Sequence, residues 1–106
     1  MKNIEVIKKF LQEEGKEDAK TQHLYIDSKK RQLINYNTAI AQWNGYEEQT
    51  QELVIDVNYY STTTSKIQTY IMRTARKMRE QGKLFFVVMN GTEKRIQQYE
   101  KILKTE

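Results

Sequence analysis

The strongest chemical signal in this sequence is a run of hydroxyl side chains beside a lysine. Residues 61–65 are all serine or threonine, and they lie between a tyrosine and a lysine. Such a run is typical of a helix start, where unpaired backbone N–H groups and a partial positive charge can bind a phosphate or carboxylate. Capping the helix would need only one hydroxyl. Two interpretations therefore stay open, a capped helix or an anion site formed by Tyr60, Ser61, Thr63, Thr64, Ser65 and Lys66.

A second candidate feature is the basic face of the helix that follows this run. At 3.6 residues per turn, one arc of that helix carries four cations, with Tyr70 at its edge. Such a face can follow a phosphate backbone, and each neutralised phosphate adds salt-dependent affinity. It is equally typical of the solvated side of an amphipathic helix. The four cations are Lys66, Arg73, Arg76 and Lys77.

Aromatic side chains are candidates for contacts with a partner protein. The chain has seven tyrosines and one tryptophan. Rings of this kind pack across neighbouring strands or serve as exposed anchors in an interface. Packing across strands is expected for most of them. The candidates for a partner contact are Tyr36, Trp43, Tyr46 and Tyr70.

The sequence lacks the usual residue sets of an enzyme or a metal protein. It has no cysteine, and its single histidine, His23, has no nucleophile pattern nearby. A carboxylate cluster within residues 13–18 is expected to be solvated, with magnesium binding as a minor alternative. Glycine-rich phosphate loops are absent from the sequence. We therefore predict a non-enzymatic protein that uses no metal or cofactor.

Charge and hydropathy bear on the partner and the location. The formal net charge of +4 favours acidic partners such as nucleic acid, although the excess is modest. The longest apolar run, residues 84–89, is far shorter than the ~20 residues that span a bilayer. The first six residues lack the apolar core of a signal peptide. We expect a cytoplasmic protein without a membrane partner, and its oligomeric state stays open.

Apolar periodicity predicts an α+β fold in one domain, residues 1–106, with the element order αβββαβα. Residues 16–21 are expected to form a polar linker, and Asn44-Gly45 a two-residue hairpin. The last strand is expected to be buried on both faces and parallel to the third, with helices mainly on one face of a mainly antiparallel sheet. The predicted elements are a helix at 3–14, a three-stranded meander at 22–60, a helix at 62–81, a strand at 83–90 and a helix at 92–104.

Two motifs resemble a family of small uncharacterised proteins from phages and related mobile elements of bacteria. They are Asn35-Tyr36-Asn37-Thr38-Ala39-Ile40-Ala41 and, further along, Tyr60-Ser61-Thr62-Thr63-Thr64-Ser65-Lys66. The resemblance covers about residues 24–72, roughly half of the chain. Family members tend to carry a histidine where this chain has Ile67, so a role for that histidine does not carry over. The resemblance implies an origin rather than an activity, and the matching positions are Tyr36, Thr38, Ser61, Thr63, Thr64 and Ser65.

These features lead to two functional hypotheses. The first is a phage or mobile-element accessory protein that binds a bacterial nucleic-acid-handling machine, most concretely an anti-CRISPR or other anti-defence inhibitor in the host cytoplasm. Its partner would be a nuclease or nucleoprotein, such as a Cas effector. Because DNA mimics are expected to be acidic, this basic chain would have to contact protein or guide RNA directly. The alternative is a protein that binds a phosphate backbone with the hydroxyl run and the basic helix face.

Overall fold

The computed structural model describes residues 1–104. They form three helices and a six-stranded sheet, which confirms the predicted α+β class. In chain order the elements are α1 (Asn3–Gln12), β1 (Ala19–Lys20), β2 (Leu24–Asp27), β3 (Gln32–Asn35), β4 (Thr38–Asn44), β5 (Gln51–Asp56), α2 (Thr62–Glu80), β6 (Phe85–Asn90) and α3 (Glu93–Lys104).

The strands lie side by side in the order in which they occur along the chain. Each neighbouring pair from β1 to β5 is antiparallel, as in a meander. The last strand is parallel to β5, with Gln51 opposite Phe85 and Asp56 opposite Asn90. Helix α2 makes the crossover between these two strands, because parallel neighbours cannot be joined by a tight turn. The predicted parallel pairing of the last strand is therefore confirmed.

The meander contains five strands where three were predicted. The predicted number of three strands is wrong in part because Tyr36 adopts a left-handed conformation, φ 56°, and turns the chain between β3 and β4. Asn35 and Asn37 flank this position and are typical turn residues, but a bulky side chain in the left-handed conformation is uncommon, so no turn was predicted there. The predicted polar linker at 16–21 is also corrected, because it contains β1, where Ala19 pairs with Ile26.

The connection between β4 and β5 is longer than the predicted two-residue hairpin. Strand β4 ends at Asn44 and β5 begins at Gln51, so residues 45–50 form the loop. Gly45 has φ 127°, and a Cβ there would lie 2.9 Å from the side-chain amide nitrogen of Gln51. Gly45 therefore allows the positive φ and leaves room for the side chain of Gln51. The connection is nevertheless a six-residue loop and not a tight hairpin.

The core lies between the three helices and one face of the sheet. Helix α1 ends where the N–H of Gly15 donates to the carbonyl oxygen of Phe10 at 3.0 Å, with Gly15 at φ 69°. Apolar residues at helical spacing point inward from all three helices, which is why the helices form on this surface. The buried helical side chains are Val6, Ile7, Phe10 and Leu11 from α1, Ile67, Ile71, Met72, Ala75 and Met78 from α2, and Tyr99 from α3.

Strand β6 lies at the edge of the sheet, and the expectation that both its faces are buried is wrong. Phe85 points into the core, whereas Phe86 is 61% exposed. Alternate side chains of a strand point to opposite faces, and the helices cover only one of them here. Val88 also lies on the uncovered face, while the preceding Leu84 is exposed.

Candidate functional site

The hydroxyl run begins α2 and is held by its own hydrogen bonds. Ser61 is extended, with φ −162° and ψ 166°, and its Oγ accepts a hydrogen bond of 3.1 Å from the backbone N–H of Thr64. This is an N-cap, the first of the two interpretations of the run. The cap satisfies one of the amide groups that an anion would otherwise bind.

Thr64 is buried below the cap and ties the helix to the meander. Only 4% of this residue is exposed. Its hydroxyl donates to Oδ1 of Asn35 at 2.7 Å, and Nδ2 of Asn35 donates to the carbonyl oxygen of His23 at 3.0 Å. Asn35 is itself buried. The hydroxyl of Thr64 therefore links α2 to β3 and to the segment before β2.

Arg95 of α3 lies on the other side of the helix start, and sequence reasoning missed it. Its Nε donates to the carbonyl oxygen of Val57 at 2.9 Å, and its Nη2 to Oγ of Ser65 and Oε1 of Gln68, each at 3.2 Å. The guanidinium also lies over the ring of Tyr99, 5.0 Å from the centroid. Charge-assisted bonds of this kind are among the stronger ones. The hydroxyl of Ser65 thus serves to dock α3.

Three of the four predicted cations form a row on the outer face of α2. We call Lys66, Arg73 and Lys77 the basic row, and all three are exposed. At 1.5 Å rise per residue the row is ~16 Å long, and its members lie within ~40° around the helix axis. In the part of the chain that the structure describes, none of the three forms an ion pair. Arg76 lies about 60° from Arg73 around the helix axis, at the flank of the basic row, and is half-buried.

Tyr60 precedes α2 and is bound to the end of β5. Its hydroxyl donates a hydrogen bond to the carboxylate of Asp56. That bond, reinforced by partial burial, raises the pKa of the Tyr60 phenol above its usual value. The hydroxyl is thereby engaged within the fold, whereas the ring stays exposed.

The four aromatic candidates for a partner contact lie in different environments. Trp43 is 1% exposed, and its indole Nε1 donates to the carbonyl oxygen of Phe10 at 2.9 Å. The prediction that Trp43 contacts a partner is wrong, because its ring is part of the core. Tyr36 is 51% and Tyr46 80% exposed, but they lie at opposite ends of β4. Tyr70 is half-buried beside the basic row.

Five of the six positions matched by the phage-protein resemblance meet at one cavity. This cavity, of about 380 Å³, lies between the β3–β4 turn and the start of α2. Two separate parts of the chain therefore come together, as a shared site would require. Ser65 does not join them, because it contacts Arg95. The matched residues that line the cavity are Tyr36, Thr38, Ser61, Thr63 and Thr64.

Across residues 1–104, no three side chains of the kinds that bind metals are grouped so that they could hold an ion. Among the same residues, no helix combines the length and apolar character needed to cross a bilayer.

The chain is an α+β protein with a five-stranded meander, the crossover helix α2 and a parallel edge strand. No protein-family model matches it, and neither does any curated protein or solved structure. The resemblance to proteins of phages and mobile elements therefore stays a prediction.

Proposed function

We propose that this chain is a non-enzymatic nucleic-acid-binding protein whose basic row contacts the phosphate backbone. One observation carries the proposal: three exposed cations are aligned on one face of α2 without an ion-pair partner in residues 1–104. Arg73 and Lys77 are four residues apart, and like charges at that spacing destabilise a helix by a few tenths of a kcal/mol. A bound anion would remove that repulsion.

The contact is assigned to the cations rather than to the hydroxyl run. Ser61 caps the helix, Thr64 is buried against Asn35, and Ser65 accepts from Arg95. Hydroxyls with these partners would have to break bonds within the fold to bind a phosphate. Side-chain cations need no such rearrangement, and each one that meets a phosphate releases a counterion.

Fluorescence anisotropy with labelled oligonucleotides over a range of salt concentrations tests the proposal. Three phosphate contacts predict that log affinity falls with log salt at a slope of about −2.7 for duplex DNA and about −2.1 for single strands. The triple variant Lys66→Gln, Arg73→Gln, Lys77→Gln should bind the oligonucleotides much more weakly, and its remaining affinity should depend little on salt.

A second triple variant is the matched control, because it removes the same charge from a distant surface. Lys16, Lys29 and Lys30 are exposed on the segment after α1 and on the turn after β2, at the other end of β3 from Tyr36. Changing all three to glutamine should lower affinity only through net charge. An equal loss of oligonucleotide affinity in the two triple variants would contradict the assignment of the contact to the basic row. Absence of binding by the unaltered protein would contradict it as well.

A second candidate function is contact with a bacterial nucleoprotein. It is favoured by the exposed rings of Tyr36 and Tyr60, which line the same cavity as the positions matched by the phage-protein resemblance. Exposed tyrosines are enriched in protein interfaces. In this proposal the chain is a mobile-element accessory protein that inhibits a nuclease or nucleoprotein in the cytoplasm of a bacterial host, for example a Cas effector.

Affinity capture from a bacterial lysate, with and without nuclease treatment, tests this second candidate. A nuclease or nucleoprotein retained after nuclease treatment, and lost from the Tyr36→Ala variant but not from Tyr46→Ala, would support it. Capture that disappears on nuclease treatment would instead show that nucleic acid bridges the two proteins. Retention of no such protein would argue against the second candidate.

A further inference from the structure

A second cavity adjoins the one at the start of α2, and the two meet at Tyr36. It has a volume of about 520 Å³ and lies between α1, the segment before β2 and the first turns of α2. Asn35, Tyr36 and Thr63 line both cavities. We call the pair of cavities the Tyr36 groove.

The ring of Tyr36 is held at the surface in a defined orientation. It stacks on the imidazole of His23, with ring centroids 4.6 Å apart and planes inclined by 23°. The backbone N–H of Tyr36 also donates to the carbonyl oxygen of His23 at 2.8 Å. About half of the residue is exposed, 51%, so the ring is not needed to fill the core. The result is a pre-oriented aromatic surface inside the groove.

The residue type at this position is not explained by the backbone. Tyr36 has φ 56°, a conformation that favours glycine or asparagine and disfavours a bulky side chain. Either smaller residue would make the same turn with less strain. The geometry of the turn therefore does not account for a tyrosine at this position.

The charge around the groove suits an anionic ligand. None of the described residues that line its two cavities is acidic, and Lys2 lines the larger one. Lys66 lies three residues after Thr63 and hence on the same face of α2, where the basic row begins. Cavities elsewhere on the molecule do contain carboxylates, Asp18 and Asp27 in one case and Asp56 in another.

We infer that the Tyr36 groove binds a base of single-stranded nucleic acid, which stacks on Tyr36 while the following phosphates lie along the basic row. The inference rests on the proposed nucleic-acid binding and adds the strand form and a base site. Stacking on an aromatic ring needs an unpaired base, because duplex DNA keeps its bases inside the helix. The helix N-terminus plays no part, since Ser61 already caps it.

Binding of a labelled oligothymidylate of about 12 nucleotides, compared with an abasic strand of the same length, tests this inference. The abasic strand keeps the phosphates and lacks the bases, so it reports on the basic row alone. The unaltered protein should bind oligothymidylate about 5- to 150-fold more tightly than the abasic strand. In Tyr36→Asn the two strands should bind with about equal affinity, so that the affinity ratio between them falls to about one. Affinity for the abasic strand should not fall, because asparagine tolerates the positive φ and keeps the turn.

Two further variants separate the ring from the hydroxyl and from exposed tyrosines in general. Tyr36→Phe should keep the ratio, since stacking needs only the ring. Tyr46→Asn makes the same substitution at the other end of β4 and should also keep it. Photocrosslinking of the unaltered protein to a strand carrying 5-iodouracil gives an independent readout, and the crosslink is expected at Tyr36 or His23.

Failure of this inference is distinguishable from failure of the proposed function. If the unaltered protein binds both strands with equal affinity and the affinity still falls with salt, the base site is overturned. A protein segment would then be the candidate ligand of the groove. An unchanged ratio in Tyr36→Asn, or a crosslink outside the groove, would also overturn it. Absence of binding to either strand would overturn the proposed function and the base site together.

Discussion

The buried hydrogen bond between Thr64 and Asn35 leads to a prediction that separates the structural from the exposed hydroxyls of α2. The change Thr64→Val keeps the side-chain shape and removes the hydroxyl that donates to Oδ1 of Asn35 at 2.7 Å. Both residues are nearly inaccessible, at 4% and 3% exposure, and the hydrogen bond between them is buried although both residues line the cavity at the start of α2. A buried acceptor left without a partner destabilises a protein by about 1–3 kcal/mol. Thr64→Val should lower the free energy of unfolding by this amount.

The adjacent threonine is a matched control for the same substitution. Thr63 is exposed in the first turn of α2, so Thr63→Val should change stability by less than ~0.5 kcal/mol. For a chain of 106 residues, the entropy of unfolding implies that each kcal/mol lost from the free energy of unfolding lowers the melting temperature by about 4.5 °C. The two variants should therefore differ in melting temperature by about 2–13 °C.

Urea unfolding followed by tryptophan fluorescence measures this difference, because Trp43 is the sole tryptophan and is buried in the core. The double variant Thr64→Val, Asn35→Leu completes a thermodynamic cycle. Replacing both partners removes the unsatisfied acceptor, so its destabilisation should be smaller than the sum of the two single changes. If Thr64→Val is as stable as Thr63→Val, the reasoning from burial and hydrogen bonding at this helix start is refuted.

Three further predictions concern contacts elsewhere in the fold. Arg95→Leu should destabilise the fold by about 1.5–3 kcal/mol in urea unfolding, because the carbonyl oxygen of Val57 loses a charged donor; no change would contradict its role in docking α3. Tyr60→Phe should destabilise by about 0.5 kcal/mol near neutral pH, the low end for a hydrogen bond, because the bond to Asp56 is exposed to solvent. The bond to Asp56 raises the pKa of Tyr60 above its usual value of 10.0. The stability that this bond contributes is therefore fully present below pH 10.0 and is lost as the pH rises through the raised pKa. The urea unfolding curves of Tyr60→Phe and the unaltered protein should converge at higher pH. Gly45→Ala should lower the melting temperature by several degrees, because φ 127° strains any side chain there.

The elements that the sequence predicted well are those specified by local spacing. Helix α2 follows from the periodicity of Ile67, Ile71 and Ala75 and from a hydroxyl at its start, and Ser61 does cap it. The parallel pairing of β6 follows from the strand–helix–strand order, which constrains the crossover whatever the side chains are. In both cases the information lies within one element or in the order of elements.

The features that sequence reasoning missed depend on neighbours distant in the chain. Strand β1 has only two residues, too few for any alternation, and exists because Ala19 pairs with Ile26. The turn at Tyr36 is forced on a residue type that disfavours it. Arg95 donates to Val57, Ser65 and Gln68, which are 27 to 38 residues away, once α3 packs on α2. Contacts of this kind are set by tertiary packing and leave no local pattern to read.

The two interpretations of the hydroxyl run describe different sides of one helix start. Ser61, Thr64 and Ser65 bond inward and fix the first turn of α2 against β3 and α3. Thr63 and Lys66 lie three residues apart on the outer face, next to the Tyr36 groove. Because the inward bonds hold the backbone that carries the outward side chains, a change to the inner set alters binding through stability. Only changes to the outer set, made in a fold of unchanged stability, test what this surface binds.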